Sequence, residues 1–424
     1  MHVDQLSSAQ LEQALAQAET DYQTLLAQNL SLDLTRGKPS AEQTALSNEL
    51  DGILEGNYLA EDGTDVRNYG GIDGLPEAKR LFSETLGVPA DEMLIGGNAS
   101  LTLMYQVVEF ALNFGFSSPW KNGTGTPKVL CPVPGYDRHF SICQHLGIEM
   151  VTLPMLDTGP DMDEAERLTQ ELDNVCGIWS VPRFSNPTGC VYDETTLARL
   201  VKLPSLAQGD FLVLYDNAYA VHALTAGAPK LGSIRDYAIA AGTENHIIQF
   251  GSTSKITFAG AGVAFMSSSK TTLARFKNHL GFQTIGPDKV NQLRHVAFFK
   301  DFNGLMAHMD KHAAVMKPRF DAVLETLDRA LKGTGMGTWI VPEGGYFVSF
   351  ETRPGLAKTV VALAGDAGIK LTPAGATFPY GNDPDDSNIR IAPSFPSIAD
   401  VQATMDAFVL CVRLATLRAL AGKP

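Results

Sequence analysis

Lys255 stands where an apolar run, His246-Ile-Ile-Gln-Phe250, gives way to Gly251-Ser-Thr-Ser-Lys255 and then to the glycine-rich stretch Ala259-Gly-Ala-Gly262. A lysine at the mouth of a strand-end cleft can be desolvated, lose its proton and attack a carbonyl carbon. Ser252 and Ser254 offer hydroxyls to a phosphate, and the N–H groups of a glycine-rich turn suit the same anion. Taken alone, the lysine reads more readily as a solvated turn residue, which is what most lysines are. Its company decides between the two.

A second apolar run ends in Tyr215-Asp216-Asn-Ala-Tyr219, and a third in Val181-Pro-Arg-Phe-Ser-Asn186-Pro-Thr-Gly189. A carboxylate leaving a buried strand commonly caps the next helix. It can instead hold a proton on a buried ring nitrogen, with Tyr219 and the Asn186 amide as donors nearby. Asn186-Pro187 is also strongly turn-forming, so a plain loop is the competing reading there.

The elements that must position these residues follow from the hydrophobic pattern. Val129 to Val133, Gly177 to Val181, Phe211 to Tyr215 and His246 to Phe250 are strand-length runs separated by amphipathic stretches. That alternation predicts an α/β fold, a mostly parallel sheet sandwiched by helices, with ligands at the carboxyl ends of the strands. Ser7 to about Asn29 reads as a helix with Ser7 or Ser8 as N-cap. After about residue 305 a long helical stretch through Leu331 precedes strands around Thr338 to Phe350 and Asn388 to Ala392. We expect three parts: an N-terminal helix and loop (1–50) packing with the small domain, a large domain (51–305), and a smaller α+β domain (306–424).

Composition narrows the partners. With 424 residues, 44% of them hydrophobic and 19% charged, the chain has material for two subdomains around a cleft. The net charge of −14 comes with no basic stripe, which argues against nucleic acid. The five cysteines are scattered with no C-x-x-C pair, and no apolar run approaches the roughly 20 residues of a membrane span. A cytoplasmic protein is expected, with neither membrane nor nucleic acid as partner. The nine histidines show no H-E-x-x-H spacing and no metal is expected; Gly333-Thr-Gly-Met-Gly337 does not fit a dinucleotide fingerprint.

Seven elements then fall in one order: Tyr69 to Gly74 (Tyr-Gly-x-x-x-Gly), Gly96-Gly-Asn-Ala-Ser100, Pro134-Gly-Tyr136, Ser185-Asn-Pro-Thr-Gly189, Asp216-x-x-Tyr219, Ser252-x-Ser-Lys255 and Asn388-Ile-Arg-Ile391. From about Leu34 to Ser394 the chain resembles the fold-type I, class I aminotransferases, which use pyridoxal 5'-phosphate. Leu34-Thr-Arg-Gly-Lys-Pro and Gly251-Ser-Thr-Ser-Lys-Ile-Thr-Phe resemble a bacterial aspartate aminotransferase subgroup. The resemblance implies that Lys255 is the Schiff-base lysine and proton carrier, and that Asp216 pairs with the pyridinium. It implies that Asn186 and Tyr219 bind the 3-oxygen, Tyr136 stacks on the ring, and Asn98, Ala99, Ser100, Ser252 and Ser254 hold the phosphate. Arg390 would clamp the substrate α-carboxylate beside Gly37, with Asn186 adjoining, and Tyr69 would reach the phosphate of a neighbouring subunit in a homodimer.

One departure is visible. Many members of the family carry an arginine eight residues after the lysine, as a phosphate ligand, where this chain has Val263. The phosphate either finds another cation, with Lys38, Arg36, Arg138 and Arg183 as candidates, or relies on neutral donors; Lys38, Arg36 and Arg138 are available for a distal substrate carboxylate. The implied reaction is a ping-pong transamination between an L-amino acid, aspartate by the subgroup likeness, and 2-oxoglutarate. Alanine or aromatic donors and a lyase on the same fold are alternatives. A cofactor-binding regulator without turnover is a remote one, since only about 30 residues precede the resemblance.

Overall fold

The computed structural model describes residues 2–35 and 37–423. Its main sheet has eight strands: β2 Met93–Ile95, β3 Lys128–Val133, β4 Glu149–Leu156, β5 Gly159–Pro160, β6 Val175–Ser180, β7 Leu212–Asp216, β8 Ile247–Ser252 and β9 Ala264–Ser267, with β1 (Leu32–Asp33) outside this sheet. Their spatial order is β2-β9-β8-β7-β6-β3-β4-β5. The contiguous set β4, β3, β6, β7 and β8 is parallel, while β9 runs against β8 and β2 against β9.

The central strands β6 and β7 are buried along their whole length, as expected of a parallel sheet covered on both faces. Two apolar cores therefore lie on the sheet, one containing Val107, Trp179, Leu214 and Phe250, the other Ile178, Leu200, Val213 and Tyr215. Because β3, β6, β7 and β8 are parallel neighbours, the segments following Val133, Ser180, Asp216 and Ser252 all leave the sheet at one edge.

The helix Ser8–Leu26 starts in a capping box, Ser7 Oγ accepting from Gln10 N while the Gln10 side chain accepts from Ser7 N. It packs on the C-terminal helix Ile398–Leu420, where Arg418 forms an ion pair of 2.8 Å with Glu19. Tyr22 Oη donates to Leu363 O at 2.8 Å. A single apolar core joins Leu15 and Tyr22 of that first helix to Val323, Val360, Phe408 and Leu414. A second sheet of three antiparallel strands, β10 Gly337–Trp339, β11 Val348–Thr352 and β13 Asn388–Ile391, sits in this part of the molecule. A further short strand, β12 (Ile369–Lys370), pairs with β1. The long helix Phe302–Leu331 leads into it. Among the described residues, no helix is long and apolar enough to cross a membrane.

Two local expectations are corrected. No helix follows Asp216: residues 218–221 form turns and the next helix begins at Ile234, so the capping reading of that carboxylate fails. The sheet is also wider than the four apolar runs suggest. The pattern did not reveal β4, whose burial alternates because it lies near an edge of the sheet, or the short β2 and β9.

Candidate active site

At the strand edge lies a cavity of about 140 Å³, whose walls include Tyr136, Asn186, Asp216, Tyr219, Ser252, Ser254 and Lys255. Lys255 Nζ lies 5.3 Å from the ring centre of Tyr219 and 5.8 Å from that of Tyr346. Burial holds this amine below the ordinary lysine range; the Asp216 carboxylate pulls the other way and Arg390 reinforces the lowering.

Asp216 is buried at the end of β7. His139 Nε2 is 3.0 Å from its Oδ2, whereas its Oδ1 has no hydrogen-bond partner among the described residues. The His139 ring is fixed in turn by stacking on Trp179 from β6, with centroids 4.0 Å apart. Tyr219 is buried, and that burial pushes its hydroxyl well above the usual tyrosine range, so it remains a donor at any working pH.

A helix N-terminus also lines the cavity. The helix Ser100–Asn113 begins after Ala99 with no side-chain cap, and Ala99, Ser100 and Leu101 line the cavity, so its first N–H groups are available to an anion there. Ser252 Oγ donates to Ser254 Oγ at 3.1 Å beside them. Asn98 stands just outside: its Nδ2 donates to Gly260 O at 3.3 Å, and its own carbonyl accepts from Ser254 Oγ at 3.4 Å.

Arg390, on β13, does not line this cavity but reaches its rim. Nη1 donates to Asn186 Oδ1 at 3.3 Å and to Asp137 Oδ1 at 3.0 Å, while the buried Nε has no partner among the described residues. Its guanidinium lies over the Phe347 ring, 4.9 Å from the centroid. Gly37 touches the same ring: a Cβ there would come 2.3 Å from Phe347 Cζ. Tyr69 is away from the cavity and 80% exposed, its loop held by Lys289 Nζ, which donates to Asn68 O and Gly70 O at 2.9 and 2.6 Å.

Val263 is buried in an apolar cluster with Ile256 and Phe265. Of the alternative cations, Lys38 sits over the Phe395 ring at 3.8 Å and Arg138 is exposed. Arg183 is committed to Ala220 O and, at 3.1 Å, Pro229 O; Arg36 lies outside the described residues. Among the described residues, no arginine and no lysine besides Lys255 lines the cavity.

Sequence reading overlooked His139, Asp137, Tyr346 and His222. The first had a usable signal: it stands three residues after Tyr136 at the start of a helix, and so shares a face with it. Asp137, Tyr346 and His222 carry no local signature, because the chain segments they meet are distant in sequence.

A site of this composition at the carboxyl edge of a doubly covered parallel sheet defines a fold-type I aminotransferase. A family model described as "Aspartate amino-transferase" matches residues 6–424, and the chain belongs to that family. It is 46% identical over 398 residues to an aspartate aminotransferase of Corynebacterium glutamicum, covering 93% of this chain and 91% of the relative. A crystal structure of an aspartate transaminase from that organism superposes with a TM-score of 0.95 at 43% identity, over 99% of both chains. The fold is also that of an α-aminoadipate aminotransferase of Thermus thermophilus complexed with N-(5'-phosphopyridoxyl)-L-leucine, with a TM-score of 0.73, 22% identity, and coverage of 92% of this chain and 93% of that one.

Proposed function

We propose that the protein transfers the amino group of L-aspartate to 2-oxoglutarate, using pyridoxal 5'-phosphate carried on Lys255. The observation that carries this reading is a single cavity in which a desolvated lysine, a buried carboxylate with one unpartnered oxygen and an uncapped helix N-terminus meet. Those are the three groups that an aldehyde, a pyridinium N–H and a phosphate require. When bound, the cofactor supplies a ring that takes up the electron pair released at the substrate Cα.

In this reading Asp216, its Oδ2 fixed by His139, presents Oδ1 to the ring nitrogen. Tyr219 and Asn186 donate to the ring oxygen, and Tyr136 covers a ring face. Ser100, Ser252, Ser254 and the N–H groups from Ala99 onward hold the phosphate with neutral donors. Arg390, anchored through Nη1, offers its remaining edge to the α-carboxylate beside Gly37. Lys255 Nζ, uncharged at a lower pH than a free lysine, is the group that moves the proton at Cα.

Support for aspartate comes from the relatives named for that substrate. Lys38, next to Gly37, is the cation we assign to the distal carboxylate. The exposed Tyr69 is assigned to the phosphate of a second copy in a cytoplasmic homodimer. Residues 1–50 and 306–424 form the smaller unit against the larger one at 51–305. A scan of amino donors against 2-oxoglutarate tests the substrate: aspartate should exceed alanine and the aromatic amino acids in kcat/KM. Equal values would contradict it.

A further inference from the structure

Behind the cavity, the peptide that carries Lys255 is gripped from other parts of the chain. Its carbonyl oxygen accepts twice: from Tyr346 Oη at 3.3 Å and from His222 Nε2 at 3.3 Å. Tyr346, in the loop between β10 and β11, is fully buried, and its hydroxyl accepts in turn from Gln43 Nε2 at 2.9 Å. Gln43 is itself buried on the short helix Ala41–Ala45. Its Oε1 accepts from Ser40 N at 3.0 Å, so the amide orientation is fixed and Nε2 must face the tyrosine. The second hydrogen of Nε2 goes to His312 Nδ1 at 3.1 Å.

The donor directions agree along the whole path: Gln43 amide to Tyr346 hydroxyl to Lys255 carbonyl. His222 fits it as a neutral ring. Burial pushes its pKa down to about 3, Nε2 carries the proton, and Nδ1 is left without a partner. A carbonyl with two buried donors fixes the peptide plane of Lys255, and with it the direction in which the side chain leaves the backbone.

We propose that Tyr346 is a positioning residue for Lys255, and that Gln43 acts on the lysine through it, so that the N-terminal segment and the β10–β11 loop together aim the amine. The inference rests on the reading of Lys255 as the cofactor-bearing lysine. None of the three side chains lines the cavity. Although the Tyr346 ring lies 5.8 Å from Lys255 Nζ and 6.1 Å from the Tyr219 ring, Tyr346→Phe keeps that ring, so loss of the hydroxyl acts through the Lys255 carbonyl.

Two substitutions test it in the loaded enzyme. Tyr346→Phe deletes the donor with little change in shape. Gln43→Glu keeps the oxygen that accepts from Ser40 N but replaces the amide donor with an acceptor, which draws the tyrosine hydroxyl away from Lys255. We expect each to lower kcat about tenfold while KM for aspartate stays within about twofold, because a misaimed amine affects the proton step and not substrate binding. The double variant should be no slower than Tyr346→Phe alone. Hydrogen exchange should rise at the Ile256 and Thr257 amides, which close the turn onto Thr253 O at 2.9 Å.

Wild-type kcat in Tyr346→Phe, fully additive losses in the double variant, or unchanged exchange at these amides would each overturn the proposal. If borohydride reduction leaves no cofactor on Lys255 of the wild-type protein, the reading of the site fails. If the cofactor is there and Tyr346→Phe behaves as wild type, only the positioning inference fails.

Discussion

His139 and Asp216 meet at 3.0 Å, and the histidine ring lies flat on Trp179 at an interplanar angle of 4°. One carboxylate oxygen is thus occupied and immobilised while the other has no partner among the described residues. Asp216→Asn removes the charge that a protonated ring nitrogen needs. Breaking a buried charge pair costs about 3–5 kcal/mol, so single-turnover rates should fall by about two to four orders of magnitude. His139→Phe keeps the stacking but not the hydrogen bond, and its loss should be smaller, about one to two orders of magnitude, in keeping with about 1.5–3 kcal/mol for a hydrogen bond to a charged group.

The arginine at the rim depends on Asp137 and on the absence of a side chain at residue 37. Gly37→Ala drives a methyl group into Phe347, over which the Arg390 guanidinium lies. We expect KM to rise about tenfold for every amino donor, with kcat less affected, as befits a loss of shared ground-state and transition-state binding. Lys38→Met should instead raise KM for aspartate and leave alanine unchanged; a parallel rise for both would remove Lys38 from the distal site.

In the proposed site, with Val263 in place of an arginine, hydroxyls and a helix start would hold the phosphate. Ser252→Ala and Ser254→Ala should each weaken cofactor retention by about 1.5–3 kcal/mol, about ten- to a hundredfold in dissociation constant. Equilibrium dialysis of the cofactor reads this directly.

Three buried imidazoles make the fold sensitive to acid. Burial lowers His222 to about 3 and His295 and His312 to about 4. In the unfolded chain they take up protons as pH falls through about 6.5, and in the fold they stay neutral. Unfolding therefore binds protons below pH 6.5, and their stabilising contribution, complete above that value, is lost as pH falls toward 4. By pH 5 the loss is about 2 kcal/mol per histidine. Urea midpoints at pH 7 and pH 5 should differ less in His222→Gln, which keeps a donor for the Lys255 carbonyl and cannot titrate.

The residues that were legible in the sequence are those whose neighbours in the chain explain them. Lys255 with its serines, Asp216 with Tyr219, and Asn186 before its proline each sit at the end of an apolar run, and parallel pairing carries those ends to one edge. What could not be read depends on contacts across the fold. The Asp137 grip on Arg390 spans 253 positions and the Gln43 bond to Tyr346 spans 303, with no periodicity or motif to announce either. Val263 was visible as a departure, but only its burial with Ile256 and Phe265 shows that its side chain belongs to the apolar core.

The central claim is that Lys255 carries the cofactor. Reducing the loaded protein with borohydride and mapping the adduct by mass spectrometry tests it most directly. The cofactor's mass should appear on the peptide containing residue 255 and vanish in Lys255→Ala, whose turnover should be lost with it. An adduct on another lysine, or a Lys255→Ala variant that transaminates at the wild-type rate, would contradict the account.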